Sequence, residues 1–209
     1  DGLQAVGKIP VNFHDLGCAT LAIGAHKFRG PRGTGALLIR RGWNIAPSAF
    51  GGHQEAGRRP GTEAVPLIAG MVRALELFHE DQHAAMERQT RLRDVLEAGL
   101  RERCPPVVLN GSRDHRLPNT LNIAFPAVDG EALLVALDLA GIACSLGSTC
   151  ASGSAEPAPV LLSMGKPSEV LLSSVRFSLG PATTDDEIDR SIRLISETVL
   201  RLRALASPS

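Results

Sequence analysis

A lysine that is to attack a carbonyl must present an uncharged amine, and His26-Lys27 sits where a chain can arrange one. In Leu21-Ala-Ile-Gly-Ala-His-Lys-Phe-Arg-Gly-Pro-Arg-Gly-Thr-Gly-Ala-Leu-Leu-Ile-Arg40 an apolar, strand-like run ends at the lysine, a glycine-rich turn follows, and a second apolar run leads away. Partial burial at such an edge disfavours an ammonium and frees the lone pair for an aldehyde such as that of pyridoxal phosphate. A solvated surface lysine has the same local sequence, so the motif needs company. Upstream, Asp1-Gly-Leu-Gln4 offers a carboxylate that could face a pyridinium nitrogen and an amide that could donate to a ring hydroxyl. The bland alternative is a frayed terminus.

Cys150 is the other reactive candidate. It lies in Cys144-Ser-Leu-Gly-Ser-Thr-Cys-Ala-Ser-Gly-Ser154, where an apolar run gives way to small polar residues that cannot build a core. A thiol there is expected to be accessible, either as a nucleophile or as an incidental surface group. Cys18, Cys104 and Cys144 stand beside apolar residues and read as small buried hydrophobes.

Taken together, the motifs resemble a family. Asp1-x-x-Gln4, His26-Lys27, Gly51-Gly-His-Gln-Glu-Ala-Gly-Arg-Arg-Pro-Gly-Thr62, Pro118-Asn-x-x-Asn122, Gly147-Ser-Thr-Cys-Ala-Ser-Gly-Ser154 and Val175-Arg-Phe-Ser-Leu-Gly180 follow the order of cysteine desulfurases of the NifS/IscS type, from Asp1 to about Leu205. The resemblance implies pyridoxal 5'-phosphate held by Lys27 as a Schiff base, with Lys27 also moving the Cα proton. It further implies Asp1 on the pyridinium nitrogen, Gln4 on the ring oxygen and His26 at the phosphate. Thr62 would reach the phosphate of the neighbouring subunit's cofactor, which makes the site the property of a homodimer. Arg176 would clamp the substrate carboxylate, and Cys150 would take sulfur from L-cysteine as a persulfide, leaving L-alanine. A sulfur acceptor or iron–sulfur scaffold protein is the implied partner.

Some positions depart from the family pattern. Gly24-Ala25 stands where Ser-Gly is usual, Thr149 replaces an alanine, and His53 takes a glycine position. Family members run to about double this length, so the chain is expected to lack most of the central sheet. A catalytically inactive piece, useful for dimerisation or acceptor binding, is the alternative of a different class. A selenocysteine or cysteine sulfinate lyase is a third, since the same carbonyl chemistry serves all three.

Composition narrows the class. Lys+Arg and Asp+Glu both number 22, so no net field favours nucleic acid or an anionic membrane. No apolar run is long enough to span a bilayer, no signal peptide opens the sequence, and the four cysteines lack Cys-x-x-Cys spacing. A cytoplasmic protein without a metal site is expected. His79 and His83 are spaced i,i+4 and read as a solvated helix face.

Periodicity supplies the elements that position these residues. Residues 19–40 read as strand, turn, strand. Pro66 to Arg103 reads as helix, broken near His79 to Ala84, with Leu92, Val95, Leu96 and Leu100 on one face. Thr62 could also cap that helix. Val107 to Leu109, Thr120 to Phe125, Ile142 to Leu146 and Val175 to Leu179 read as strands, with helices at Glu131 to Ala140 and Pro157 to Met164. Thr184-x-x-Glu187 is a capping box opening a last helix through Ile188, Ile192, Ile195 and Leu202. The expected fold is α/β, with residues 1–80 as a remnant of the large domain of a pyridoxal-phosphate transferase and residues 81–209 as a complete small C-terminal α/β domain carrying the cysteine loop.

Overall fold

A computed structural model describes residues 1–146 and 158–206. The chain is mixed α/β and divides into two compact units, Asp1–Ala84 and Ala85–Ser209.

In the first unit, strands β1 (Thr20–Gly24) and β2 (Gly35–Ile39) pair antiparallel, Thr20 opposite Ile39 and Gly24 opposite Gly35. The approach at Gly35 requires a glycine, because a Cβ there would stand 2.5 Å from the Ile23 carbonyl oxygen. A 3-10 turn, Ala25–Phe28, follows β1 and ends at Arg29 with φ 70°. Lys27 therefore rides on a tight turn and not on the strand itself. Helix α1 (Val65–Glu80), with a proline in its first turn, brings Met71 onto Ala25 and Phe28. It stops at Asp81, whose φ of −126° is non-helical, and α2 (Gln82–Arg103) begins at the next residue. The break separates His79 and His83 onto different helices, so the single shared face that their spacing suggested does not exist.

The second unit holds the larger core. Strands β3 (Val108–Leu109), β4 (Thr120–Ala124) and β5 (Ser174–Ser178) form an antiparallel sheet in that order. Strand alternation puts Leu121, Ile123, Val175 and Phe177 on one buried face. They meet Leu92, Leu96 and Leu100 of α2, Leu133 and Leu137 of α3 (Gly130–Leu139), and Ile188, Ile192, Ile195 and Val199 of α6 (Asp185–Ala206). Val95, expected on that face, points outward and is 39% exposed. The buried stripe of α2 instead includes the polar Gln89, Arg93 and Glu97.

The capping box expected at Thr184 forms, and Asp129 supplies a second cap that was not expected. Asp129 accepts the Ala132 N–H at 2.8 Å and opens α3. Thr184 and Glu187 exchange bonds, Thr184 N–H to Glu187 at 2.9 Å and Glu187 N–H to Thr184 at 3.2 Å, and open α6. Near the other end of α6, the Arg203 guanidinium donates to the carbonyls of Cys104, Pro105, Pro106 and Pro126. Two short helices, α4 (Pro159–Ser163) and α5 (Ser168–Leu172), precede β5, and only the first was expected. Among the described residues, the strand expected at Ile142–Leu146 shows one bridge, Ser145 with Arg176.

Candidate active site

The Lys27 turn is held from below by Ala25 and Phe28, both buried, while Lys27 is half-buried and His26 exposed. The turn is tied by Ala25 N–H to the Thr34 carbonyl at 3.2 Å and Gly30 N–H to the Ala25 carbonyl at 2.9 Å. No described residue bonds or ion-pairs with the Lys27 amine.

Asp1 to Gly7 is pressed against this turn. Gly2 N–H donates to the Ala22 carbonyl at 2.8 Å, laying the segment beside β1. Gly7, at φ 76°, comes so near the turn that a Cβ would fall 2.1 Å from that of Phe28. At Gly24 a Cβ would lie 3.2 Å from Leu3 Cδ2 and 3.3 Å from His26 Cε1. The Asp1–Gln4 segment and the His26 ring thus converge on the end of β1. Asp1 is exposed and accepts the Leu3 N–H at 3.2 Å. Gln4 is exposed, and its Oε1 accepts from Lys8 Nζ at 3.0 Å, which leaves the amide NH2 as the available donor. Leu3 and the His26 ring border Gly24, whose backbone carries no side chain there, an opening that suits a pyridoxal ring and its phosphate.

Thr62 is exposed and lies before the N-cap of α1, which is Ala64 and has no side-chain cap bond. The cap expectation for Thr62 is therefore corrected: the hydroxyl is not used by the helix.

Arg176 belongs to the second unit. It sits on β5 opposite Asn122, between the buried Val175 and Phe177. Its backbone is locked to Ser145 in both directions, Arg176 N–H to Ser145 O at 2.7 Å and Ser145 N–H to Arg176 O at 3.1 Å. The side chain is half-buried, and its Nε is buried without a hydrogen-bond partner among the described residues. A buried guanidinium nitrogen left unpaired is costly, and an anion is its natural complement.

Cys150 lies outside the described residues. The other cysteines differ from one another more than expected. Cys104 is fully buried, and burial pushes its thiol up. Cys144 is only half-buried, yet burial and the nearby Asp138 push it to about 11. Cys18 is half-buried, not buried, and its carbonyl accepts from Arg40 Nε at 3.0 Å. Neither Cys104 nor Cys144 is a thiolate at neutral pH.

Sequence reasoning also missed a buried ion cluster on α2. Glu97 is 5% exposed and pairs with Arg101 at 2.9 Å and Arg116 at 2.8 Å. Burial works to raise its carboxyl, but the bonds from Arg116 and Arg101 outweigh burial and hold it below the usual carboxylate value. The cluster fastens the 110–119 segment to α2 and lies outside the candidate chemistry. A charge every fourth residue on α2 was its only signal, and that spacing equally describes a solvated face. Among the described residues no group of three or more His, Cys, Asp or Glu is placed to hold a metal ion.

The profile of a family described as Aminotransferase class-V matches residues 1–190. A cysteine desulfurase of Nostoc sp. is 48% identical over 206 residues, 99% of this chain and 52% of that protein. The cysteine desulfurase NifS of Azotobacter vinelandii is 43% identical over 97% of this chain and 50% of its own length. Among solved structures, a NifS-like protein superposes with a TM-score of 0.86 at 34% identity, covering 97% of this chain and 52% of that one. The chain spans about half the length of the curated relatives it matches.

Proposed function

This chain belongs to the class-V aminotransferase family, and from that premise we propose that it forms the lysine- and cysteine-bearing part of a pyridoxal-phosphate-dependent cysteine desulfurase, converting L-cysteine to L-alanine. The observation that carries this reading is the convergence of the Asp1–Gln4 segment and the His26-Lys27 turn on Gly24. Pyridoxal phosphate, when bound, supplies an electron sink for the Cα of an amino acid. Lys27 would be the residue that holds this group at its aldehyde carbon, and its amine, once released by the incoming substrate amine, would carry the Cα proton. Asp1 places a negative charge against the pyridinium nitrogen, the Gln4 amide donates to the ring oxygen, and His26 stands beside the phosphate. Thr62 reaches the phosphate in the neighbouring subunit of a homodimer.

Arg176 clamps the substrate carboxylate with its planar, two-pronged head, and its unpartnered Nε supports that role. Cys150 receives the sulfur as a persulfide while the carbon skeleton leaves as alanine. The high-lying thiols of Cys104 and Cys144 leave the reactive role to a cysteine elsewhere. Among the described residues no helix is long and apolar enough to cross a membrane. A cytoplasmic enzyme passing sulfur to an acceptor or iron–sulfur scaffold protein completes the reading. The test is alanine formation from L-cysteine by the protein with pyridoxal phosphate. Loss of that activity in Cys150→Ala, with the cofactor's visible absorbance kept, is the expected result. Full activity in that variant would overturn the assignment.

A further inference from the structure

The loop that leads to Thr62 is closed on itself by one side chain. Gln54 is half-buried while His53 and residues 55–59 are exposed, and its Oε1 accepts the Gly61 N–H at 3.1 Å. The backbone folds back sharply between the two: Glu55, Ala56 and Gly57 are all left-handed, at φ 50°, 56° and 75°. Glutamate and alanine adopt that region only where surrounding contacts enforce it. The turn is held by Gly57 N–H to the His53 carbonyl at 3.1 Å and Arg58 N–H to the Glu55 carbonyl at 3.2 Å. Across the loop, Gly51 comes close to Pro60, where a Cβ on Gly51 would stand 3.0 Å from the proline Cβ. Gly61 is itself at φ 104°, so the peptide entering Thr62 has a conformation that only glycine takes readily. The Gln54 bond holds that peptide in place.

We propose that Gln54 is a positioning residue for Thr62: by holding the Gly61 N–H, it sets where the Thr62 hydroxyl meets a phosphate. This rests on the reading of Thr62 as a contact to the cofactor phosphate in the neighbouring subunit. A threonine hydroxyl on a freely turning glycine would have to be ordered at each binding event, and closing the loop beforehand removes that cost. Thr62 makes no bond to a described residue, which leaves its hydroxyl available.

The experiment compares two ligands of the holoenzyme, pyridoxal phosphate and pyridoxal, which lacks the phosphate. Affinities are read from the visible absorbance of the bound chromophore. Gln54→Met keeps the length of the side chain and removes the acceptor. It is expected to weaken pyridoxal phosphate about tenfold, on the scale of one lost hydrogen bond to a charged group, and to leave pyridoxal unchanged. Combined with Thr62→Val, it is expected to add nothing further, because Gln54 acts only through Thr62. Equal weakening of both ligands would show a merely structural role and overturn the proposal. Additive losses in the double variant would overturn it as well. If Thr62→Val alone leaves the preference for pyridoxal phosphate intact, the phosphate reading of Thr62 falls and Gln54 falls with it. If Thr62→Val matters and Gln54→Met does not, only the positioning role is lost.

Discussion

Single residues in this chain carry roles that their surroundings make unequal. Reduction of the cofactor-loaded protein with borohydride is expected to fix a pyridoxyl group on Lys27, and peptide mass analysis checks it; a label on Lys8 or Lys166 would move the site. Lys8 already donates to Gln4, whereas no described residue engages the Lys27 amine. Arg176→Lys keeps the charge but loses the two-pronged geometry, so half-saturation for L-cysteine should rise about tenfold, the worth of one charge-assisted hydrogen bond. An unchanged half-saturation would assign the carboxylate elsewhere. Glu97 gives a pH signature. Its carboxyl is held below the value it has in the unfolded chain, so the stability it contributes is complete above about pH 4.5 and is lost as pH falls through the folded value. Urea unfolding at pH 6 and pH 3.5 should show this slope weakened in Glu97→Gln. At pH 6 that variant should itself cost about 3 kcal/mol, because Arg116 and Arg101 lose a buried partner. Residue types named the candidate lysine, cysteine and arginine; burial, which no residue type reveals, separates Glu97 from the ordinary surface charges around it.

At the scale of elements, close packing between backbones is the governing constraint. Gly130 opens α3 where a Cβ would stand 2.4 Å from the Leu172 carbonyl oxygen at the end of α5. A backbone oxygen cannot swing aside as a side chain can. Gly130→Ala is therefore expected to destabilise the second unit by about 1–3 kcal/mol, read as a lower urea midpoint at unchanged slope. The last helix and its start were legible because caps and 3.6-residue periods are local: Thr184 and Glu187 announce α6 wherever they are met. The failures share one physical cause. Ile142–Leu146 is apolar enough for a strand, but a strand exists only if a neighbour pairs along its length, and among the described residues β5 bridges it at Ser145. Val95 fits a helical stripe on paper, yet the face of α2 that is covered runs through Arg93 and Glu97 instead.

Across the whole molecule the two units are built to different depths. The first joins a two-stranded hairpin to a helix through three buried residues, Ala25, Phe28 and Met71. It also carries outward-facing apolar groups, Phe50 at 87% and Trp43 at 58% exposure. The second, among the described residues, closes a three-stranded sheet and three helices around one continuous core. A lone hairpin is marginal in water. Hydrogen exchange on the 209-residue chain should therefore release the amides of Ala36 and Leu38, which face Ile23 and Leu21 across the hairpin, well before those of Ile123 and Val175, and equal protection would show that the hairpin has support beyond its own unit. Sequence alone determined the candidate residue types, the capping box of the last helix, the α/β class and the resemblance to cysteine desulfurases, because each rests on residue identity or short-range periodicity. Only the tertiary structure decided that the Asp1–Gln4 segment meets the His26-Lys27 turn at Gly24, that Gln54 closes the loop onto Gly61, and that Thr62 is left unused by its helix. These depend on which backbones approach one another and at what distance, and such approaches are set by packing between segments far apart in the chain.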